Sequence, residues 1–235
     1  MKKKILAIIP ARGGSKGIKN KNIKKLQNKP LLYYTAKAAL KSKYFDKIIL
    51  STDNKKIASI GVKLGFELPF IRPKELGRDD TPMFLVIKHC LKELKKIYKY
   101  EPDIIVILQP TSPLRSSNNI DSAIEMFLNN KADSLVSISE IPHTINPYSA
   151  MRLTPKGYLN FFLKYDEKKN LRQKKPKFYS RNGALYIFSR ECFEKKKSIF
   201  GNKILPFLIP KENSIDIDDN LDWFIAGSLI KKKNI

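Results

Sequence analysis

The sequence is short of the residues that carry much of covalent and metal chemistry: its 235 residues include two cysteines and two histidines. Cys90 and Cys192 lie far apart with neither metal-ligand nor redox spacing, and read as buried or incidental thiols. No histidine or cysteine is placed for covalent catalysis. Long apolar runs are absent too, since none approaches the ~20 residues of a membrane span. The run that follows Met1-Lys2-Lys3-Lys4 is too short for a signal peptide, so the expectation is a cytoplasmic protein without membrane contact. Acids are scarce, 22 against 46 lysines and arginines, for a formal net charge of +24. Such an excess raises nucleic-acid binding. Yet 38 of those 46 are lysines scattered along nearly every segment rather than gathered on one helix with interleaved aromatics. The expectation is a solvated lysine-rich surface that attracts a polyanion such as a nucleoside triphosphate, with no nucleic-acid partner.

What is present begins with Ile5-Leu6-Ala7-Ile8-Ile9, which breaks into Pro10-Ala11-Arg12-Gly13-Gly14-Ser15-Lys16-Gly17 and then Lys21-Asn22. Five apolar residues suit a strand buried on both faces. A glycine-rich basic loop at its end lets backbone N–H groups approach an anion that the cations neutralise. The P-loop pattern is missing, because Lys16-Gly17-Ile18 stands where Gly-Lys-Ser/Thr is needed. The dinucleotide G-x-G-x-x-G spacing is missing as well. Asp53, which could have been its acidic partner, is therefore expected to cap the helix that starts near Asn54.

Along the rest of the chain, helical and strand-like patterns alternate. Leu32, Ala36, Ala39 and Leu40 form the stripe of a first helix, with Pro30 near its first turn. A strand over 47–51, a helix over 55–64, a short run over 67–70, a helix over 83–98 and a strand over 103–108 follow. Ser117 to Asn119 are expected to cap a helix over 120–128. The alternation predicts an α/β fold, a mostly parallel Rossmann-like sheet with helices on both faces, whose ligands bind beyond the carboxyl ends of its strands. With 42% apolar residues the chain can bury a substantial core as a single domain over 1–235. Regularity lapses between about 140 and 180, where hairpins and long loops are expected.

Four further strings stand out. Arg72-Pro73 to Asp80-Thr81-Pro82 precedes the helix at 83, and Thr81 could simply cap that helix. Gln109-Pro110-Thr111-Ser112-Pro113-Leu114-Arg115 follows a buried strand, and its prolines make a rigid loop that cannot continue the sheet. Asn182-Gly183-Ala184-Leu185-Tyr186 resumes a strand pattern. Finally, Ser214-Ile215-Asp216-Ile217-Asp218 alternates, so on a strand Asp216 and Asp218 would share one face ~7 Å apart, suited to magnesium and phosphate oxygens. Asp219 or Asn220 would cap a last helix over 221–230, with Asp222 near its positive end.

Together these strings, in this order from residue 5 to residue 222, resemble the acylneuraminate (nonulosonic acid) cytidylyltransferases, enzymes of the nucleotide-diphospho-sugar transferase type. The resemblance implies a CTP-dependent transferase that joins CMP to a nonulosonic acid and releases pyrophosphate, with Mg2+ on Asp216 and Asp218. Arg12 and Lys21 would balance charge on the triphosphate. Gly13, Ser15, Asn22, Arg72, Asp80, Thr81 and Ser112 would hold the nucleotide, and Gln109 both nucleotide and sugar. It further implies that the 140–180 insertion is a dimerisation lobe, that Arg172 reaches the partner's sugar carboxylate, and that Arg181, Tyr186 and Phe200 line the sugar pocket. Arg115 is read as a structural cation. Some relatives carry an arginine two residues before the Asn; here that place is Ser180, and Arg181 stands beside it. The Asn-Gly-Ala-Leu-Tyr string resembles enzymes for legionaminic or neuraminic acids. CMP-pseudaminic acid and CMP-Kdo synthetases are the alternatives within enzymes, and a basic RNA-binding α/β protein is the alternative of another class.

Overall fold

The computed structural model describes residues 3–164, 166, 171 and 175–234. Strand β1 (Ile5–Pro10) leads through a loop and a two-strand ribbon, β2 (Lys25–Leu26) and β3 (Lys29–Pro30), into α1 (Leu31–Leu40). Then come β4 (Lys47–Ser51), α2 (Lys55–Lys63), α3 (Met83–Tyr98), β5 (Ile104–Ile107), α4 (Ser117–Leu128) and β6 (Ser134–Glu140). An exposed hairpin, β7 (Met151–Leu153) with β8 (Leu159–Phe161), precedes β9 (Tyr179–Ser189), α5 (Arg190–Lys196), β10 (Ile204–Leu208) and α6 (Asn220–Lys233).

Six strands form one sheet in the order β10-β6-β9-β5-β1-β4. The β1–β4, β1–β5 and β6–β10 pairings are parallel, while β9 runs antiparallel to β5 and β6. Alternation along β1 explains the layering. Ile5, Ala7 and Ile9 pack with Leu32 and Ala36 of α1, Ile57 of α2 and Ile124 of α4. Leu6 and Ile8 face the other way, against Ile87, Cys90 and Leu94 of α3 and Phe193 of α5. Both strand faces are buried, as the uninterrupted apolar runs require. Cys90 and Cys192 are free and buried, as expected.

Several local expectations are corrected. Residues 67–70 form no strand: Glu67 makes an isolated parallel bridge to Ile49 on the sheet edge, and Pro69 has no N–H with which to extend it. Asn54, not Asp53, caps α2 by accepting the N–H groups of Lys56 and Ile57. The α4 cap is Ser116, which forms a reciprocal capping box with Asn119. Thr81 caps nothing, since α3 starts after Pro82 and the Thr81 hydroxyl donates to the Glu75 carbonyl. Leu40, counted on the buried stripe, is 48% exposed because α1 ends there, at the domain surface. The α6 cap is Asp219, paired in a capping box with Asp222, in line with the sequence.

Candidate active site

The loop after β1 is anchored at several points near the carboxyl end of the sheet. The Gly13 N–H donates to Asp53 Oδ1 at 2.9 Å, and the same oxygen lies 3.4 Å from the Arg72 guanidinium. This is why Asp53 does not cap α2: its carboxylate joins the first loop to the arginine. Arg72 is buried, which lowers its pKa against the opposing pull of Asp53. Asn22 is buried too and donates to the Arg12 carbonyl at 2.9 Å. Lys21 Nζ donates to the Ile217 carbonyl at 2.5 Å and lies 3.4 Å from Asp218, joining positions nearly two hundred residues apart. Gly17 has no room for a side chain there, because a Cβ would overlap the Asp218 carbonyl.

Asp216 and Asp218 lie on an extended segment that pairs with no strand, which corrects the expected strand. Its ladder reduces to one bond, from Ile217 N–H to the Thr111 carbonyl at 2.9 Å. The alternation nevertheless survives. Ile217 is buried with Ile18, Leu114 and Ala226, whereas Asp216 and Asp218 both line the cleft. Burial raises the Asp216 pKa, opposed by a hydrogen bond from the Thr111 side chain. Asp216 Oδ1 is buried and has no hydrogen-bond partner. A buried oxygen with a free lone pair, beside a second carboxylate, is a donor set that fits a hard divalent cation completed by phosphate oxygens and water. No cluster of three or more His, Cys, Asp or Glu occurs among the described residues.

Behind the acids, Arg115 is buried and donates to the Gln109 and Ala184 carbonyls and to Thr35 Oγ1, with its pKa lowered to about 9 by burial. It is the structural cation the sequence reading made it, fastening the loop after β5 to β9 and α1. Gly183 has φ +71°, and a Cβ there would sit 2.6 Å from Asp216 Oδ2 and 2.8 Å from Gln109 Oε1. A side chain would fill the space between the acid and the glutamine.

Two cavities meet at this point. A cleft of about 510 Å³ is lined by Arg12, Ser15, Lys21, Asn22 and Arg72 on one side and by Gln109, Thr111, Asp216 and Asp218 on the other. A second cavity, of about 350 Å³, shares Gln109 with it and is lined by Arg181, Tyr186 and Phe200. The Arg181 guanidinium lies 5.3 Å from the Phe200 ring centre. Other expected residues lie elsewhere. Gly13 lines neither cavity, because its N–H is taken by Asp53. Ser112 is buried and donates to the Asn182 carbonyl. Asp80 lines neither, although Thr81 does line the larger one. Arg172 lies outside the described residues. Residues that the sequence reading left without a role also appear: Asp79 is ion-paired with both Arg12 and Lys16 across the cleft, Thr111 lines the larger cavity and accepts the Ile217 N–H beside Asp216, and Lys197 lines the smaller cavity. Nothing in the sequence separates Asp79 from its neighbour Asp80, and Lys197 stands in a lysine run.

A parallel-rich sheet whose first loop, buried arginine and paired carboxylates surround one cleft is that of a nucleotide-handling α/β protein. Comparison with known proteins makes the class specific: the chain belongs to the cytidylyltransferase family, whose sequence model matches residues 6–217, and is accordingly a CTP-dependent nucleotidyltransferase. It is 36% identical over 237 residues to a CMP-N,N'-diacetyllegionaminic acid synthase of Campylobacter jejuni, covering 98% of this chain and 97% of that one. It is also 36% identical over 241 residues to an N-acylneuraminate cytidylyltransferase of Escherichia coli, covering 100% of this chain and 54% of that one. The chain thus spans about half the length of the latter. Among solved structures, a CMP:2-keto-3-deoxy-manno-octonic acid synthetase complexed with CTP has the same fold, with a TM-score of 0.72 at 14% identity over 98% of this chain and 99% of that one.

Proposed function

We propose that the protein activates a nonulosonic acid of the legionaminic or N-acylneuraminic type with CTP, giving the CMP-sugar and pyrophosphate. The observation that carries this reading is the convergence of Arg12, Lys21, Arg72, Asp216 and Asp218 on one cleft that opens, at Gln109, into a second cavity with an aromatic and a cationic wall. The larger cavity would take the triphosphate and cytidine, the smaller one the sugar acid. Identity to a legionaminic acid synthase over nearly the full length of both chains favours that sugar class over Kdo.

In the reaction the sugar's anomeric hydroxyl oxygen forms a bond to the α-phosphorus, the bond from that phosphorus to the bridging oxygen breaks, pyrophosphate leaves and the hydroxyl proton is lost to water. The hydroxyl is a weak nucleophile approaching a polyanion, so the site must offset negative charge and hold the reactants in line. Arg12 and Lys21 would neutralise the phosphates and the departing pyrophosphate. Ser15, Asn22, Arg72 and Thr81 would hold the nucleotide. Gln109 and Tyr186 would orient the sugar, and Arg181, which lines the same cavity, would meet its carboxylate. A magnesium ion held by Asp216 and Asp218 would supply Lewis acidity at the α-phosphate and at the attacking oxygen.

We place Arg172 and the segment around 140–180 at a homodimer contact. In support, the β7–β8 hairpin exposes Leu153, Tyr158, Leu159 and Phe162, an apolar surface that a second copy would cover. Consumption of CTP favours a cytoplasmic site of action; no described helix is long and apolar enough to cross a membrane.

The test is pyrophosphate release with CTP and Mg2+ over a panel of legionaminic, N-acetylneuraminic, pseudaminic and Kdo acids. Turnover that depends on both CTP and one of the first two supports the reading, and turnover only with pseudaminic acid or Kdo overturns the substrate class. Salt-sensitive RNA retention with no turnover would make the protein a nucleic-acid binder instead. Asp218→Ala should abolish turnover while circular dichroism stays unchanged; near-normal Mg2+-dependent rates would remove the metal assignment.

A further inference from the structure

A third cavity, of about 390 Å³, lies outside the site described above, in the gap between α3 and α5. Phe84, Lys88, Leu91 and Lys92 stand at helical spacing and form one wall from α3, while Phe193 of α5 and Lys197 just past its end form the other. The two walls meet through the Phe84 and Phe193 rings, whose centres are 4.7 Å apart. Tyr100 and Pro102 complete an apolar floor.

The charges around this floor do not cancel. Glu101 is taken by Lys95 at 2.9 Å and by Arg190, and Glu194 is taken by Arg190 at 2.7 Å. Lys88, Lys92 and Lys197 line the same cavity and make no ion pair among the described residues. Lysine is abundant over this whole surface, but unpaired lysines around an aromatic floor are a particular combination. The rings offer stacking to a flat apolar body, and the ammonium groups offer point charges to a phosphate, sulfonate or carboxylate. The volume also falls within the ~300–1,000 Å³ of small-molecule sites. The groove further adjoins the proposed sugar site, because Phe84 and Lys197 line both this cavity and the one walled by Arg181, Tyr186 and Phe200.

We propose that the groove between α3 and α5 is a second ligand site, which takes a planar organic anion and, when filled, weakens binding of the sugar acid. An ammonium drawn to an anion in the groove is lost to the sugar cavity, and Phe84 cannot shift toward one cavity without changing the wall of the other. The link to the sugar rests on the function proposed above; the groove itself does not.

The probe is 8-anilinonaphthalene-1-sulfonate, titrated by fluorescence with CTP and Mg2+ at saturation so that the larger cleft is occupied. Lys88→Glu with Lys92→Glu reverses two charges of the groove, and Lys88→Arg with Lys92→Arg keeps them. Lys231→Glu with Lys232→Glu makes the same change in net charge at the end of α6. The parent should bind one probe per chain, and the groove reversal should raise its dissociation constant at least about tenfold, the loss of about one charge-assisted contact. The other two variants should stay close to the parent. In steady-state kinetics with the acid that turns over, the probe should raise the KM for the acid about fivefold or more and leave the KM for CTP unchanged, and the groove reversal should lose this effect. A groove reversal that binds the probe like the parent, or a control pair that weakens binding equally, overturns the site. Binding that depends on the groove lysines but leaves the KM for the acid unmoved overturns the coupling alone. If no acid turns over, the function proposed above falls, while the titration still decides the site.

Discussion

At the scale of single residues, one of the two cations expected to meet the triphosphate already has an anion: Arg12 pairs with Asp79, which also takes its loop neighbour Lys16. The pairing holds the Asp79 carboxyl below the ordinary range, first through the Lys16 hydrogen bond and then through Arg12. A phosphate group entering the cleft must displace that carboxylate, so Asp79 competes with the nucleotide. Asp79→Asn should lower the KM for CTP several-fold with little change in kcat, as steady-state kinetics at saturating acid would measure. An unchanged or higher KM would make Asp79 part of the nucleotide site. Gly183 is the second telling residue. Its φ of +71° and its closeness to Asp216 Oδ2 and Gln109 Oε1 leave no space for a methyl group. Gly183→Ala should cut kcat by at least about tenfold, the order of loss expected when reacting groups shift by an ångström or less, while the protein stays folded by circular dichroism.

At the scale of elements, the loop after β5 is held as a unit. Arg115 joins it to β9 and α1 through three acceptors, all inside the protein. Losing the guanidinium orphans those acceptors at ~1–3 kcal/mol each, so Arg115→Met should destabilise the fold by at least about 3 kcal/mol in urea unfolding. Arg115→Lys should not restore it, because a single ammonium cannot span the fork. A small effect would mean that water takes the guanidinium's place. The sequence made this arginine structural, but not its partners: Thr35 lies 80 positions away and Ala184 lies 69 away. Caps were legible only approximately. Ser116 and Asn54 each cap one residue away from the expected segment or residue, because adjacent Ser, Asn and Asp side chains have similar capping ability and the surrounding contacts choose among them.

For the whole molecule, the charge of +24 sets how it responds to acid. Carboxyls of Asp79, Glu101, Glu125 and Asp133 lie below their ordinary values, held chiefly by Lys16, Lys95, Tyr44 and the Lys203 N–H respectively. A carboxyl whose folded pKa is depressed contributes stability above its unfolded pKa and loses it as pH falls through the folded value. The thermal midpoint should therefore be flat near neutrality and fall below about pH 4.5. At the acid end of that fall, once the pH has passed the depressed folded values and the carboxylates are protonated, added salt should partly restore the midpoint, because cation repulsion is then what is left to screen. A midpoint that rises on acidification would contradict this balance. Length, composition and the alternation of apolar runs by themselves determined the α/β class, most strands and helices, and the strings that carry the family likeness, because strand burial, turn chemistry and loop rigidity are local properties. Only the tertiary structure decided that the first loop and the acids near the carboxyl end meet through Lys21. It also decided that Asp53 serves the loop instead of a helix, that Ser112 turns inward, and that Asp79 rather than Asp80 faces the cations. Each of these depends on which atoms arrive from distant parts of the chain to satisfy a buried or charged group, and chain order does not encode that arrival.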